Sequence, residues 1–247
     1  LAAARAMLDS ARLTGDGLEL RFTWRGELVE KAVAAATGQG VDEQVLRAYR
    51  DHLARARARD FAILLGTAFD LAKRRGGDPV VENRAALTAL AESALGSRLV
   101  SRRGVANPRQ RTGIRLAGRQ DFAQHFALSA FIAATGGAEV ADLAGLYKEL
   151  KDSRGGSGFS FTDLAADRAG TRLGELATRS PAQARRLQNR LAGSQDASAY
   201  FPSVADLPEF MNQAEFQRRF GGVGAPAYRR MMDEIEGRID GLALYRD

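Results

Sequence analysis

Asp121-Phe-Ala-Gln-His-Phe-Ala-Leu-Ser129 carries a helical period in its chemistry. Asp121, His125 and Ser129 recur at every fourth residue, which sets all three on one helix face. Phe122, Phe126 and Ile132 mark an apolar flank beside that face. His125 therefore reads as an inward-facing histidine with a carboxylate one turn before it. The other histidine, His52, stands among Arg50, Asp51 and Arg55 on what reads as a solvated face. Similar helical spacing runs through most of the chain. The expectation is an all-α fold, a single irregular helical domain over residues 1–247 with about nine helices.

Towards the N-terminus, Asp78-Pro79 starts a helix that runs to about Leu95, with proline in its favoured first turn and Gly96 beyond its end. The stretch before it, Val41 to Arg75, reads as one long helix closed by Gly76-Gly77. Glu27 to Thr37 reads as a helix stopped by Gly38 and Gly40, and Ala2 to Arg12 as a short helix punctuated by Thr14-Gly-Asp-Gly17. Leu18 to Trp24 breaks the pattern. Leu18, Leu20, Phe22 and Trp24 alternate with Glu19, Arg21 and Thr23, a period of two that signals a strand. Residues 1–26 are thus expected to hold one helix and a short strand with no evident partner.

Towards the C-terminus, helices are expected over Pro181 to Leu191, Leu207 to Phe220 and Pro226 to Leu242. Gly221, Gly222 and Gly224 separate the last two. No strand precedes those glycines, so they are a turn and not a dinucleotide fingerprint.

Composition narrows the function classes. The chain of 247 residues has no cysteine, which excludes disulfides, thiolate metal sites and thiol nucleophiles. The formal charge of +6 rests on arginine and admits an anionic partner, for which an envelope polymer or a membrane surface is expected. No nucleic-acid partner is expected, because the aromatic and basic clustering of a single-strand binder is missing. Arg102, Arg103, Arg109, Arg111 and Arg115 read as an exposed basic loop or linker. No apolar run reaches the roughly 20 residues needed to cross a bilayer. Leu1-Ala-Ala-Ala4 would suit the tail of a signal or anchor segment removed upstream.

The central segment, 119–175, concentrates the chemistry. Tyr147-Lys-Glu-Leu-Lys-Asp152 closes a helix from Val140, with Glu149 and Asp152 three apart on one face. Two acids in a last turn oppose the helix dipole, a field that disfavours the carboxylate and suits Glu149 to general-acid work. Ser153-Arg-Gly-Gly-Ser-Gly-Phe-Ser160 follows. It lacks the strand and lysine of a phosphate loop and reads as a turned connector. Ser160-Phe-Thr-Asp163 then has capping-box spacing, so Ser160 is the expected N-cap and Asp163 has the option of bonding back to the backbone. Asp163 and Asp167 lie four apart, and Gly170 and Gly174 continue nearly the same stripe. Small residues there let another helix come close, and the helix bearing His125 is a candidate.

The candidate catalytic residues are therefore Glu149, Asp152 and His125, and the candidate binding residues are Asp121, Lys148, Ser160, Asp163 and Asp167. One alternative is purely structural, a salt-bridge network with Arg119, Lys148, Arg168 and Arg172. No cofactor is expected and no metal ligand set is assigned, although imidazole and carboxylate donors suit a divalent manganese, iron or zinc ion. A single histidine is few for zinc, and no E-x-x-H pair is present.

The pattern D-x-x-x-H-F, K-E-x-x-D and G-x-G-F-S-x-x-D-L-x-A-D-x-A-G, over Asp121 to Gly174, resembles bacterial envelope proteins of the YfiM-like and VanZ-like kind. The resemblance implies a helical protein of the periplasm or membrane without a settled reaction, with His125, Lys148, Glu149, Asp152 and Asp163 as matched positions. A looser likeness is to lysozyme-like glycosidases and lytic transglycosylases, where a helix ending in a catalytic glutamate precedes a Ser/Gly-rich turn. It implies a hydrolase or lyase on envelope polysaccharide with Glu149 as general acid. The expected function is that of a cell-envelope helical protein with a polar His/carboxylate pocket, periplasmic or membrane-associated. The alternatives are that polysaccharide enzyme and a non-enzymatic scaffold.

Overall fold

The computed structural model describes residues 6–14, 17–24, 27–33, 41–96, 113–138, 158–246 and, between 139 and 157, positions 141, 142, 145, 149 and 153. From residue 41 onward the described residues form helices, turns and isolated bridges, with no strand, and the domain is all-α. Its helices are α1 (Glu43–Ala56), α2 (Phe61–Arg75), α3 (Pro79–Leu95), α4 (Gln120–Gly136), α5 (helical residues between 138 and 153), α6 (Phe161–Thr178), α7 (Pro181–Leu191), α8 (Gln213–Phe220) and α9 (Pro226–Asp240). The basic stretch from Arg102 to Arg111 lies outside the described residues.

Acidic and amide side chains start α1, α2, α3 and α8. Asp42 accepts from the N–H groups of Gln44 and Val45 at 2.8 and 3.1 Å, Asp60 from Ala62 at 2.8 Å, and Asp78 from Val80 and Val81 at 2.8 and 3.1 Å. Each satisfies backbone donors that the first turn leaves without carbonyl partners. Asp60 also accounts for the break in the long helix expected over Val41 to Arg75. Arg57 takes a left-handed φ of 51° at the end of α1, and Asp60 caps a new helix three residues later. Arg59 and Phe61 then bond to Arg115 in a short bridge, Arg115 N to Arg59 O and Phe61 N to Arg115 O, both at 2.8 Å.

Two other expected helices are corrected at the N-terminus. Ala6–Thr14, Gly17–Trp24 and Glu27–Val33 are strands β1, β2 and β3 of an antiparallel sheet in the order β1-β2-β3. Thr14 pairs with Gly17 and Trp24 with Glu27, so each strand folds back on its neighbour across two residues. The strand expected at Leu18 to Trp24 is present. Its partners are the segments read as helices over Ala2 to Arg12 and Glu27 to Thr37. Alanine and arginine are good helix formers, but propensity is a weak bias, and pairing with a strongly alternating neighbour outweighs it. A register shift between Leu8 and Ser10 marks a bulge at Asp9.

The expected helix from Leu207 also begins later, at Gln213, because Leu207 to Asn212 are used as a strap. Phe159 and Met211 exchange backbone hydrogen bonds at 2.6 and 3.0 Å, and Phe161 N bonds to Pro208 O at 2.9 Å. Beneath the strap, Phe159 stacks on Phe216 with ring centroids 3.9 Å apart, and Phe161, Phe220 and Tyr228 complete the aromatic cluster. This cluster holds the entry to α6 in place.

At the centre α4 and α6 lie in close contact. A Cβ on Gly170 would stand 2.2 Å from the carbonyl oxygen of Phe126, and one on Gly174 would stand 2.2 Å from that of Ala130. Only hydrogen fits there, so the glycine stripe of α6 is the seat for the helix that carries His125. Helix α3 packs on the same pair, and α7 and α2 close the core around Ala177, Ala184 and Leu191.

Candidate functional site

His125 sits in the middle of α4, Glu149 on α5, and Asp163 and Asp167 one turn apart in α6. Their fractional exposures are 6%, 0%, 5% and 3%, so four ionisable side chains share the interior of the bundle. The imidazole is gripped from both ends. Nδ1 is 3.1 Å from each carboxylate oxygen of Asp167, and Nε2 is 3.6 Å from Oδ2 of Asp163. A carboxylate only accepts, so Nδ1 carries a proton towards Asp167. Ser129, one turn beyond His125, donates its hydroxyl to Oδ1 of Asp167 at 2.7 Å. Glu149 accepts the backbone N–H of Ser160 at Oε2, at 2.9 Å. One nitrogen of His125 and one oxygen each of Glu149 and Asp163 lie within 4.8 Å of one another.

Local sequence explains each placement. Four-residue spacing puts His125 and Ser129 on one side of α4, and Asp163 and Asp167 on one side of α6. The glycines of α6 then bring those two faces together. On α5, Gly145 faces the same place: a Cβ there would lie 2.5 Å from Oδ2 of Asp167. The lack of a side chain at Gly145 gives that carboxylate its room, a role the sequence alone does not reveal.

Ser160 precedes the first turn of α6 as expected of an N-cap, yet its hydroxyl makes no cap bond. It accepts instead from the N–H of Phe210 at 3.1 Å, which ties the strap to the site, while its own N–H is directed at Glu149. Asp163 faces His125, while the Ser160 N–H that a capping box would offer it goes to Glu149. Capping is a local bond, and here the tertiary partners outcompete it.

Asp121 is placed elsewhere. Its carboxylate pairs with Arg119 at 2.5 Å, and Arg119 also reaches Glu209 at 2.6 Å, at the partly exposed margin of the bundle. Burial alone would raise the Asp121 carboxyl, but the Arg119 guanidinium holds it below the usual carboxylate range. Glu209, which the sequence reading passed over, also accepts from Thr162 at 3.0 Å. Lys148 and Asp152 lie outside the described residues.

The arginines expected to neutralise the cluster are engaged with other acids. Arg168 pairs with Asp142 and Glu236, and Arg172 with Asp240 at 3.0 Å, fastening α5 and α9 to the outer side of α6. Burial raises the Asp142 carboxyl despite the opposing Arg168. Two surface depressions, of about 340 and 260 Å³, lie near Arg119, Phe201 and Glu209 and near Arg186, Arg190 and Leu244. Neither is lined by His125, Glu149, Asp163 or Asp167. No helix among the described residues is long and apolar enough to cross a membrane.

In comparisons with known proteins, no family model, no curated protein and no solved structure matches this chain.

Proposed function

We propose that this chain is a helical protein of the bacterial cell envelope, periplasmic or membrane-associated, and that its working part is the buried centre of His125, Glu149, Asp163 and Asp167. The observation that carries the reading is convergence. His125, Glu149 and Asp163 are positions of the envelope-protein pattern, come from three separate helices, and meet in one buried space. Burying ionisable groups together is unfavourable, and apolar side chains of similar volume hold helices together as well or better. A cluster of this kind is therefore better explained by what it does than by the stability it adds.

Full burial of Glu149 weighs against its use as the general acid of a polysaccharide hydrolase, which requires that group at the floor of a sugar-sized groove. Arg168 and Arg172 pair with the outlying acids Asp142, Glu236 and Asp240. The positive charge of the chain supports an anionic envelope polymer or membrane surface as partner.

The test is genetic and biochemical. In a bacterium carrying the gene, the full-length protein is expected in the envelope fraction. Deletion is expected to sensitise cells to detergent, with rescue by the wild-type gene and not by Glu149→Gln expressed to the same level. A cytosolic protein would refute the location, and full rescue by Glu149→Gln would refute the role of the centre.

A further inference from the structure

We infer that the buried centre is a binding site for a divalent transition-metal ion, with Nε2 of His125 and carboxylate oxygens of Glu149 and Asp163 as ligands, and with Asp167 and Ser129 as positioning residues. The inference rests on the reading of this cluster as the working part of the protein and assigns its ligand.

Spacing is the first support. Two donors held about 2.1 Å from one ion stand roughly 3.0 to 3.4 Å apart in octahedral or tetrahedral geometry. The 3.6 Å from Nε2 of His125 to Asp163 is too long for a hydrogen bond and close to that ligand-to-ligand distance. The glutamate oxygen completes a set contained within 4.8 Å.

Orientation of the imidazole is the second, and it is independent of the first. A ligating histidine characteristically donates its other ring N–H to a carboxylate, which selects the tautomer and increases the basicity of the metal-facing nitrogen. Asp167 does this for His125 through both oxygens, and the Ser129 hydroxyl steadies Asp167 in turn. Nε2, the other ring nitrogen, lies 3.6 Å from Oδ2 of Asp163. The backbone N–H of Ser160 orients Glu149 in the same manner.

The kind of donor is the third. One nitrogen and two oxygens suit manganese, iron or zinc more than calcium or magnesium, which take oxygen donors.

Full-length protein purified without chelator is expected to contain a single transition-metal ion per chain by elemental analysis. Chelator-stripped protein is expected to bind zinc and manganese in calorimetry and to melt at higher temperature when either is added. Glu149→Gln, Asp163→Asn and His125→Gln are each expected to abolish the calorimetric signal, with the circular dichroism of the metal-free wild type retained. Asp167→Asn is expected to weaken affinity roughly 10- to 100-fold with unchanged stoichiometry, as expected of a residue acting through His125. Cobalt-loaded wild type is expected to show visible d–d bands that shift in Asp167→Asn, a readout that mere loss of packing would not move.

Metal-free protein as isolated, with no calorimetric signal and no change in melting on adding zinc or manganese, overturns the inference. So does unchanged affinity in folded Glu149→Gln and Asp163→Asn. The two readings fail separately. Loss of rescue by Glu149→Gln without metal binding leaves the centre functional and refutes the metal. Metal binding with full rescue by a metal-free variant makes the ion structural and refutes the function.

Discussion

Asp163 shares the buried interior with Glu149 and Asp167, and carboxylates held close together at this depth repel when both are ionised. Asp163→Asn keeps the volume and removes one charge. The metal-free variant is expected to be between unchanged and about 2 kcal/mol more stable than metal-free wild type. Urea unfolding in the presence of chelator measures this, and a variant clearly less stable would mean that the carboxylate serves the fold. A gain in stability with a loss of function is the usual mark of a functional polar cluster. Asp121 makes the contrast. It shares a helix face with His125 in the sequence, yet Arg119, two residues before it, captures it at the margin.

Among elements, the α4–α6 pair governs the site. Their separation is set by Gly170 and Gly174, whose absent side chains admit the carbonyls of Phe126 and Ala130. Gly170→Ala forces a methyl to within contact distance of backbone that cannot yield without shifting the helix. A loss of about 3 kcal/mol is expected, well beyond any gain in helix propensity from alanine. Chemical denaturation gives the number, and wild-type stability in the variant would show that the two helices are not held this closely. The same shift moves His125 away from Asp163 and Asp167, so weaker zinc binding in whatever folded variant remains is expected alongside. Both effects follow from one contact, because the helices that make the core also carry the ligands.

For the molecule as a whole, the segment just before the strap, at Asp206, and its link to Arg238 of α9 provide a pH-sensitive tie. Arg238 hydrogen-bonds to Asp206 at 2.5 and 2.7 Å and holds its carboxyl at about 2, against an ordinary 3.8. A carboxyl depressed in the folded state contributes stability that is fully present above its unfolded value and is lost as pH falls through its folded value. The wild type is therefore expected to lose stability more steeply than Asp206→Asn between pH 4 and pH 2. Asp206 is solvent-exposed, so the difference is expected to shrink in high salt, and parallel acid profiles at low salt would refute the tie.

The sequence by itself determined the helical class, the Asp78-Pro79 start of α3, the strand at Leu18 to Trp24, and the two short motifs that bear His125 and the α6 acids. Each depends on neighbours within a few residues, where periodicity and capping act. The glycine stripe opposite His125 was legible for the same reason, since small residues four apart make a groove whatever fills it. Only the tertiary structure decided the rest. It split Val41 to Arg75 at Arg57, converted two weak helices into partners of β2, turned Ser160 from capping to the centre, and assigned Asp121 and the arginines to the periphery. Those outcomes are competitions between a local bond and a distant one for the same donor or acceptor, and the distant partner exists only once the chain has folded.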